Sequence, residues 1–509
     1  MPQTNRMTLD DHRRLAEALG DAGRYPWPVD AVERIETHIS TVLLAGSYVI
    51  KIKKPIDLGF LDFSALERRR HFCDEEIRLN GRLAPQIYLR RVPITGTLTD
   101  PVIDGEGEAI EHAVLMRRFP ERELMSRLLR EGRLPDAAID RLADTVAAFH
   151  DGLPAVGGDA PHGTPEAVAE PVRENFRQLR ALSAAGPLRS ELKRLERWSE
   201  QQLEQLAPRI SARREAGAVR ECHGDLHLGN VAWHDGDVIV FDGIEFNEAL
   251  RWIDTANEIA FTVMDLEFHG ARRLRYRFLD RYLERTGDYE ALDLLPFYAV
   301  YRALVRAKIN GHEAEQGAAP GAQEALREHV ALARRFTEPP APELVLTYGL
   351  SGSGKSTRAR RLVEERGFIR LRSDVERKRL FGFEARERSG SGLGGGLYTS
   401  EASERTYARL EELAEHALRA GFSVVVDAAF LQASRRYPFR DLAERLGCRF
   451  RILHVRAAEE TLRQRLRKRL AEGRDPSEAD EAVLDAQLRS AEPPSGDEVP
   501  FVETVDADR

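Results

Sequence analysis

The stretch GLSGSGKST, Gly349 to Thr357, constrains this chain more than any other. Gly349, Gly354, Lys355 and Ser356 have the spacing GxxxxGK[ST]. An apolar strand pattern, LVLTY (344–348), precedes it and a helix pattern, TRARRLVEER, comes after it. A turn this rich in glycine lets successive backbone N–H groups wrap a phosphate, and the helix behind it adds partial positive charge at its first turn. The expected nucleotide-binding set is therefore Gly349, Ser351, Gly352, Ser353, Gly354, Lys355, Ser356 and Thr357. Lys355 is expected to reach the β- and γ-phosphates of ATP, and Ser356 to hold Mg²⁺.

Beyond this loop the chain alternates strand and helix. Further strands are expected at 368–371, 423–427, 450–455 and 502–505, with helical patterns between them. That alternation predicts a parallel sheet covered by helices, a three-layer α/β domain over 343–509. The sequence RSD places Asp374 just past the second strand, and VVVDA places Asp427 at the end of another, both on the phosphate side. Asp427 is the further candidate metal ligand. Asp374 is placed to accept the proton of an acceptor hydroxyl. On GLSGSGKST, RSDVERKRL and VVVDAAFL, nearly all of 343–509 resembles the zeta-toxin-like and polynucleotide-kinase-like P-loop kinases, including chloramphenicol phosphotransferase. The resemblance implies that Asp374 is the general base and that Lys355 takes part in transfer. It also implies that RQRLRKRLAEGRDPSEAD is a lid, with Arg465 and Arg469 on one face and Arg469 at the nucleotide. Arg377 is a further candidate for the phosphates. The glycine-rich SGSGLGGG (389–396) is expected to be mobile.

A second signal is HGDLHLGNV, His223 to Val231. Asp225 and Asn230 have the D-x-x-x-x-N spacing in which the aspartate accepts a hydroxyl proton and the asparagine oxygen holds Mg²⁺. VAW and VIVF then form a hairpin on an Asp235–Gly236 turn that ends at Asp242, bringing Asn230 and Asp242 to the same metal ions. Residues 30–315 resemble the aminoglycoside phosphotransferase family, whose fold is protein-kinase-like. HGDLHLGN matches the family's HGDLHxGN, FDGIEF stands at its D-F-[DG], and LADTVAAFH resembles its L-A-x-x-L-A-x-L-H helix. The resemblance implies a lysine–glutamate clamp for the α- and β-phosphates. YVIKIKKP offers Lys51, Lys53 and Lys54, with Lys51 favoured and Lys53 close behind on the same strand face, and CDEEIRLNGRL offers Glu76 ahead of Glu75. It also places Asp254 as a buttress of the catalytic loop and LMRRF (115–119) beside the adenine.

Coarser features frame both motifs. Residues 40–53 read as two strands about a Gly-Ser turn, then a helix near 64–83 and a strand pair within 87–117. From about 121 to 335 the chain reads as mainly helical, apart from the hairpin near 231–241. The Pro-rich FTEPPAPE (336–343) reads as a linker. The expected organisation is α+β and then α/β: a kinase-like bilobal domain at 1–335, with lobes at about 30–117 and 118–335, a linker at 336–342, and a P-loop domain at 343–509. Net charge is −8, and residues 343–509 hold 30 Lys and Arg against 29 Asp and Glu, so neither half is a basic block built for nucleic acid. Cys73, Cys222 and Cys448 lie far apart and read as reduced thiols. The most apolar stretch, LDLLPFYAVYRALV (292–305), is broken by Pro296 and Arg302. It reads as a buried helix, leaving a cytoplasmic protein that makes no membrane contact.

Both halves together resemble the bifunctional aminoglycoside phosphotransferase/ATP-binding proteins of bacteria. The implied reaction at each site is Mg²⁺-assisted transfer of the γ-phosphoryl group of ATP to a hydroxyl, with a small molecule as the favoured acceptor. Two rivals stand beside it. One is a nucleic-acid 5′-hydroxyl kinase in the second half, suggested by Arg463, Arg465, Arg467 and Arg469. The other is a nucleotide-binding regulatory module in one of the halves.

Overall fold

A computed structural model describes residues 7–59, 61–317, 320–385, 387–390, 395–472 and 476–506. The chain forms two compact units, Met1–Arg173 with Ile210–Asp265, and Glu174–Arg209 with Leu266–Arg509. Packing therefore parts the chain elsewhere than at the Pro-rich segment: helices after residue 266 pack with the domain that begins at 343.

In the first unit, strands β1 (Val32–Glu36), β2 (Ser40–Ala45), β3 (Tyr48–Lys53), β4 (Tyr88–Gly96), β5 (Pro101–Ile103) and β6 (Glu111–Arg117) form one antiparallel sheet in the order β1-β2-β3-β6-β4-β5. The turn between β2 and β3 falls at Gly46, whose φ of +59° brings the chain against the Pro28 carbonyl. Alternation divides β3 between two faces. Ile50 and Ile52 pack with Leu15 of helix Leu9–Ala18 and with Leu19, its C-cap. Val49 turns to the other face, toward Cys73 of helix Leu66–Asn80, and Lys51 and Lys53 share its parity. Two cations sent to a covered face must find carboxylates there, because an unpaired buried charge is far too costly. Two short ribbons complete the framework: β7 (Val219–Glu221) with β10 (Trp252–Asp254), and β8 (Val231–His234) with β9 (Asp237–Val240). The β8–β9 hairpin closes on Asp235 and Gly236, both at positive φ, as a two-residue primed turn requires. Short β1, β5 and the β7–β10 ribbon escape a reading by pattern, since three to five residues carry too little periodicity.

In the second unit, β11 (Glu343–Tyr348), β12 (Ile369–Arg372), β13 (Val424–Asp427), β14 (Arg449–Arg456) and β15 (Val502–Asp506) make a wholly parallel sheet, ordered β12-β13-β11-β14-β15. Each strand lies within two residues of its expected place. Val345, Val425 and Leu453 face helix Lys355–Arg366 through Ala359 and Val363. The expected buried helix is Leu295–Gln316, and Pro296 opens it rather than breaking it, since a first-turn N–H has no intrahelical acceptor to lose. No helix among the described residues is long and apolar enough to cross a membrane. In the glycine-rich 389–396 segment, residues 391–394 lie outside the described residues.

Helix Arg272–Thr286 docks on this sheet's flank. Tyr276 joins the cluster of Val363 and Phe368, and Arg277 donates to Glu364 at 2.8 Å. Gly367 ends helix Lys355–Arg366 at φ +74°, and a Cβ there would lie 2.4 Å from Tyr276 Cε1. Gly447 ends another helix at φ +65° with nothing within 4 Å of such a Cβ. Gly367→Ala is therefore expected to cost about 2–4 kcal/mol, combining left-handed strain with overpacking, against about 1–2 kcal/mol for Gly447→Ala. Denaturant unfolding of the two variants checks this; equal losses would mean that helix Arg272–Thr286 is not packed there.

Two candidate active sites

In the first unit the two β3 lysines meet one glutamate. Lys51 Nζ lies 2.8 Å from Glu76 Oε1 and donates to Asp242 Oδ1 at 2.6 Å. Lys53 donates to Glu76 Oε2 at 2.7 Å and, on its other side, to Glu245. Burial alone would raise the Glu76 carboxyl, but the two ammoniums outweigh it and hold Glu76 well below the usual carboxylate range. Burial would likewise strip the Lys51 proton, and Asp242 and Glu76 more than reverse this. Both lysines thus share Glu76, and Lys51 is the one that reaches Asp242. Lys54 pairs with Glu36, and Glu75 with Arg78. Glu245, a carboxylate raised by its burial, is a member of the cluster that sequence reasoning missed. It stands in FDGIEF, three residues past Asp242.

The HGDLHLGN loop is held from below by a single helical stripe. On helix Thr255–Phe268, Glu258, Phe261, Thr262 and Asp265 have the i, i+3, i+4, i+7 spacing of one face. Glu258 accepts the N–H groups of His223 (2.6 Å) and Gly224 (2.9 Å). Thr262 donates to the Leu226 carbonyl at 2.9 Å, Phe261 meets the His227 ring at 5.3 Å, and Asp265 accepts Leu228 N–H at 2.9 Å. Asp254, expected as the buttress, is instead held by Arg213 at 2.8 and 2.9 Å. The carboxylates Glu258 and Asp265 do the buttressing, since they alone of these acids reach the loop's amides. Gly224 sits at φ +85°, where a Cβ would strike the Leu250 carbonyl at 2.7 Å. His150, the last residue of LADTVAAFH, gathers with Cys222 and Glu258 under the loop, their ligand atoms within 4.8 Å of one another.

Hydrogen bonds orient the candidate groups of this loop. His223 Nε2 lies 2.9 Å from the Phe241 carbonyl and donates to it, leaving Nδ1 to accept Asp225 N–H at 3.3 Å; burial lowers the imidazole's pKa and favours this neutral form. His227 Nδ1 accepts Gly229 N–H, so Nε2, 3.4 Å from Asp225 Oδ2, carries the ring proton. Asn230 Nδ2 donates to Asp225 Oδ2 and to its carbonyl, both at 3.0 Å. That turns the Asn230 carbonyl oxygen away from Asp225. Phe241 N–H bonds the backbone carbonyl of Asn230 across the hairpin end, which sets Phe241 opposite Asn230 and Asp242 one residue beyond it. Asp242 takes φ +62°, unusual without glycine and costing about 1–2 kcal/mol. Its N–H is held by Tyr88 Oη at 3.0 Å, and Gly243 N–H by Asn80 Oδ1 at 2.7 Å. Phe119 of LMRRF packs on Phe241 at 5.0 Å, one residue before Asp242.

In the second unit a cavity of about 430 Å³ opens over the glycine loop. Ser351, Gly352, Gly354, Lys355, Ser356 and Thr357 line it, while Ser353 is buried beneath. Gly349, also outside the lining, has its Cα where a Cβ would strike the Val455 carbonyl at 2.5 Å, so it lets the loop pass close over β14. Lys355 Nζ donates to the Gly349 and Leu350 carbonyls, each at 2.8 Å. Burial lowers its pKa to about 8, with Asp427 and Asp374 acting in the opposite direction. Asp374 is the second residue of helix Ser373–Leu380, whose N-cap is Arg372. Its carboxylate lines the cavity and is not a cap. Asp427, at the end of β13, has a buried Oδ2 that accepts no hydrogen bond. A buried carboxylate oxygen without a donor, beside a phosphate loop with Ser356, fits a divalent cation.

Arg465 and Arg469 also line the cavity, as one helical face; Arg469 donates to the Ala479 carbonyl at 2.7 Å. Arg463 and Arg467 turn the other way, paired with Glu459, Glu481 and Asp485. The four-arginine run is therefore no exposed cationic stripe. The expected lid lies on helix Glu459–Glu472 and on the segment from there to Asp480, of which residues 473–475 are outside the described residues. Arg377 lines the cavity but donates to the Leu397 carbonyl (2.9 Å) and Ser403 Oγ (3.2 Å). Sequence reasoning missed Gln487, which accepts Ser351 N–H at 2.8 Å, and the lining tyrosines Tyr398 and Tyr407. Nothing local marks Gln487; it arrives on a separate helix, Glu481–Ser490.

Comparison with known proteins matches the two stretches of chain that carry these candidate sites. Residues 45–295 match the phosphotransferase enzyme family, and residues 344–494 match an AAA domain family. Uncharacterized proteins of Mycobacterium tuberculosis and Mycobacterium bovis are each 31% identical over 408 residues, 80% of this chain and 80% of theirs. Among solved structures, a choline/ethanolamine kinase family protein from Mesorhizobium loti is 12% identical, covering 65% of this chain and 96% of its own with a TM-score of 0.39. A gluconokinase from Sinorhizobium meliloti is 22% identical over 33% of this chain and 85% of its own, with a TM-score of 0.25. By the phosphotransferase match over the HGDLHLGN site, the match over the GLSGSGKST site, and relatives that share most of both, the chain belongs to the family that joins an aminoglycoside-phosphotransferase-like domain to a P-loop kinase-like domain.

Proposed function

We propose that the protein is a cytoplasmic enzyme with two kinase sites, each moving the γ-phosphoryl group of ATP to the hydroxyl of a small molecule. The observation that carries this reading is that each site gathers a lysine and an aspartate: Lys51 donates to Asp242 in the first, and Lys355 and Asp427 line one cavity over the glycine loop in the second. In both, a cation suited to phosphate and a carboxylate suited to Mg²⁺ belong to the same site.

In the first site, Lys51, oriented by Glu76, would take the phosphates, while Asp242 and Asn230 would hold Mg²⁺. Bound there, Mg²⁺ would neutralise charge on the phosphates. Asp225 would accept the acceptor's proton, its Oδ2 steadied by Asn230 Nδ2. In the second site, the glycine-loop amides and Lys355 would cradle the phosphates. Ser356 and Asp427 would hold the ion, Asp374 would accept the proton, and Arg465 and Arg469 would close over the nucleotide. Supporting a small acceptor are the modest cavity and the ion-paired state of Arg463 and Arg467, which leaves little for a nucleic-acid backbone. The test is transfer of label from γ-labelled ATP by the full-length protein to panels of hydroxyl metabolites, antibiotics and RNA 5′ ends. Transfer to a small alcohol is expected. Labelling of RNA ends alone, or ATP hydrolysis with no acceptor in any panel, would sink the proposal.

A further inference from the structure

We infer that Glu284, on helix Arg272–Thr286, is a positioning residue for Asp427 in the second site and acts through Arg372. The inference rests on the reading of Asp427 as a metal ligand. The parallel register of β12 and β13 sets Arg372 beside Asp427. Arg372 Nε lies 3.7 Å from Asp427 Oδ2, beyond hydrogen-bond length, while Arg372 NH1 donates to Glu284 Oε1 at 3.2 Å. One guanidinium is thus shared by two carboxylates, and the hydrogen bond goes to Glu284. The side chains of Glu284, Arg372 and Asp427 are only 13%, 11% and 4% exposed, so their charges act on one another with little screening by water.

Glu284 is itself held firmly. Arg370 donates to its Oε2 at 2.8 Å, and Arg379 donates to its backbone carbonyl at 2.6 Å. Burial would raise its carboxyl, but Arg372 and Arg370 overcome this and keep it ionised. Asp280, one turn earlier, accepts from Arg370 Nε at 3.2 Å and from the NH2 that also serves Glu284 at 2.8 Å. Gly287 ends the helix where a Cβ would strike Arg379 Nε at 2.6 Å, so the helix end and the β12 flank approach closely. The geometry explains why the Asp427 oxygen is open. Glu284 retains the guanidinium, and Asp427 keeps a buried lone pair for a cation. With the Glu284 charge gone, Arg372 has Asp427 as its better partner and competes with the metal ion for the same oxygen. Helix Arg272–Thr286 lies within the stretch that matches the phosphotransferase family, yet it supplies a residue to the P-loop site.

The experiment uses the full-length protein with Asp242→Ala, which removes the first site's metal ligand. Mn²⁺ binding is read by electron paramagnetic resonance in the presence of a non-hydrolysable ATP analogue. Glu284→Gln keeps the size and a hydrogen-bond acceptor but not the charge. It is expected to weaken Mn²⁺ binding about five-fold or more, from the loss of one charge at this range. Binding of the analogue in EDTA, which involves no metal ion, is expected to match that of the parent. Asp280→Asn removes an equal charge from the same helix but faces Arg370, and should lower the melting temperature without moving the Mn²⁺ constant. Glu284→Asp keeps the charge one methylene further from Arg372. A weakening of about two-fold is expected and decides the matter if Glu284→Gln does not fold. An unchanged Mn²⁺ constant in the Glu284 variants overturns the inference, as does an equal loss in Asp280→Asn, which would mean that only helix docking matters. Absence of any Mn²⁺ binding in the Asp242→Ala parent would instead overturn the reading of the second site itself.

Discussion

Asp225→Asn is expected to slow transfer at the first site by about 10²–10⁴, the usual cost of losing a general base, while ATP binding stays close to normal. Asp225 Oδ2 accepts from Asn230 Nδ2, and His227 Nε2 stands 3.4 Å away. An asparagine keeps the shape and one acceptor oxygen, so the loop above Glu258 has no reason to move. The amide cannot take a proton from the acceptor hydroxyl. Asp242→Ala gives the contrasting result, since it removes a proposed metal ligand and leaves Lys51 without its second carboxylate. Its loss should appear first in Mg²⁺–ATP affinity. Titration with nucleotide and single-turnover transfer on both variants separate the two effects. Equal, small changes in both would mean that this loop does not perform transfer.

In the second site, Asp374→Asn should lower the transfer rate alone, again by about 10²–10⁴. Lys355→Ala should lower affinity and rate together, because the ammonium meets phosphate before and during transfer. Lys355 also predicts a pH dependence. Burial brings its pKa down to about 8 in the free site, so it carries its charge below that pH and loses it above. ATP binding favours the charged form. Affinity at this site should therefore be full below about pH 8 and fall as pH rises through it, and the fall should be absent in Lys355→Ala. Should Asp374→Asn retain the full transfer rate, the aspartate is no base, and this site reduces to nucleotide binding.

Much of both sites is legible in the chain because their decisive parts are local. Gly349, Gly352 and Gly354 carry backbone angles that few other residues adopt, and they stand within six residues of one another. The order of Asp225, Asn230, the Asp235–Gly236 turn and Asp242 is likewise a local geometry, since a two-residue turn fixes the register between its strands. The parallel sheet comes from strand–helix alternation, which leaves few other ways to cover both faces.

What the sequence could not decide is which charge meets which. Alternation placed Lys51 and Lys53 on one face, and helical spacing allowed Glu75 or Glu76, but period says nothing about partners. Only the packed helix Leu66–Asn80 put Glu76 between both lysines, drew Glu245 onto Lys53 and left Lys51 to reach Asp242. The arginines tell the same story: spacing put Arg465 and Arg469 on one face, but only acidic neighbours from a later helix pair Arg463 and Arg467 on the other. Asp254 yielded its expected place to Glu258 and Asp265 because a hydrogen bond depends on a few tenths of an ångström, which no spacing specifies. The Glu284–Arg372–Asp427 chain joins residues far apart along the polymer. Burial makes an unpaired charge too costly to leave, so some partner was certain. Which partner it would be was a matter of tertiary distance, and only the folded chain contains that.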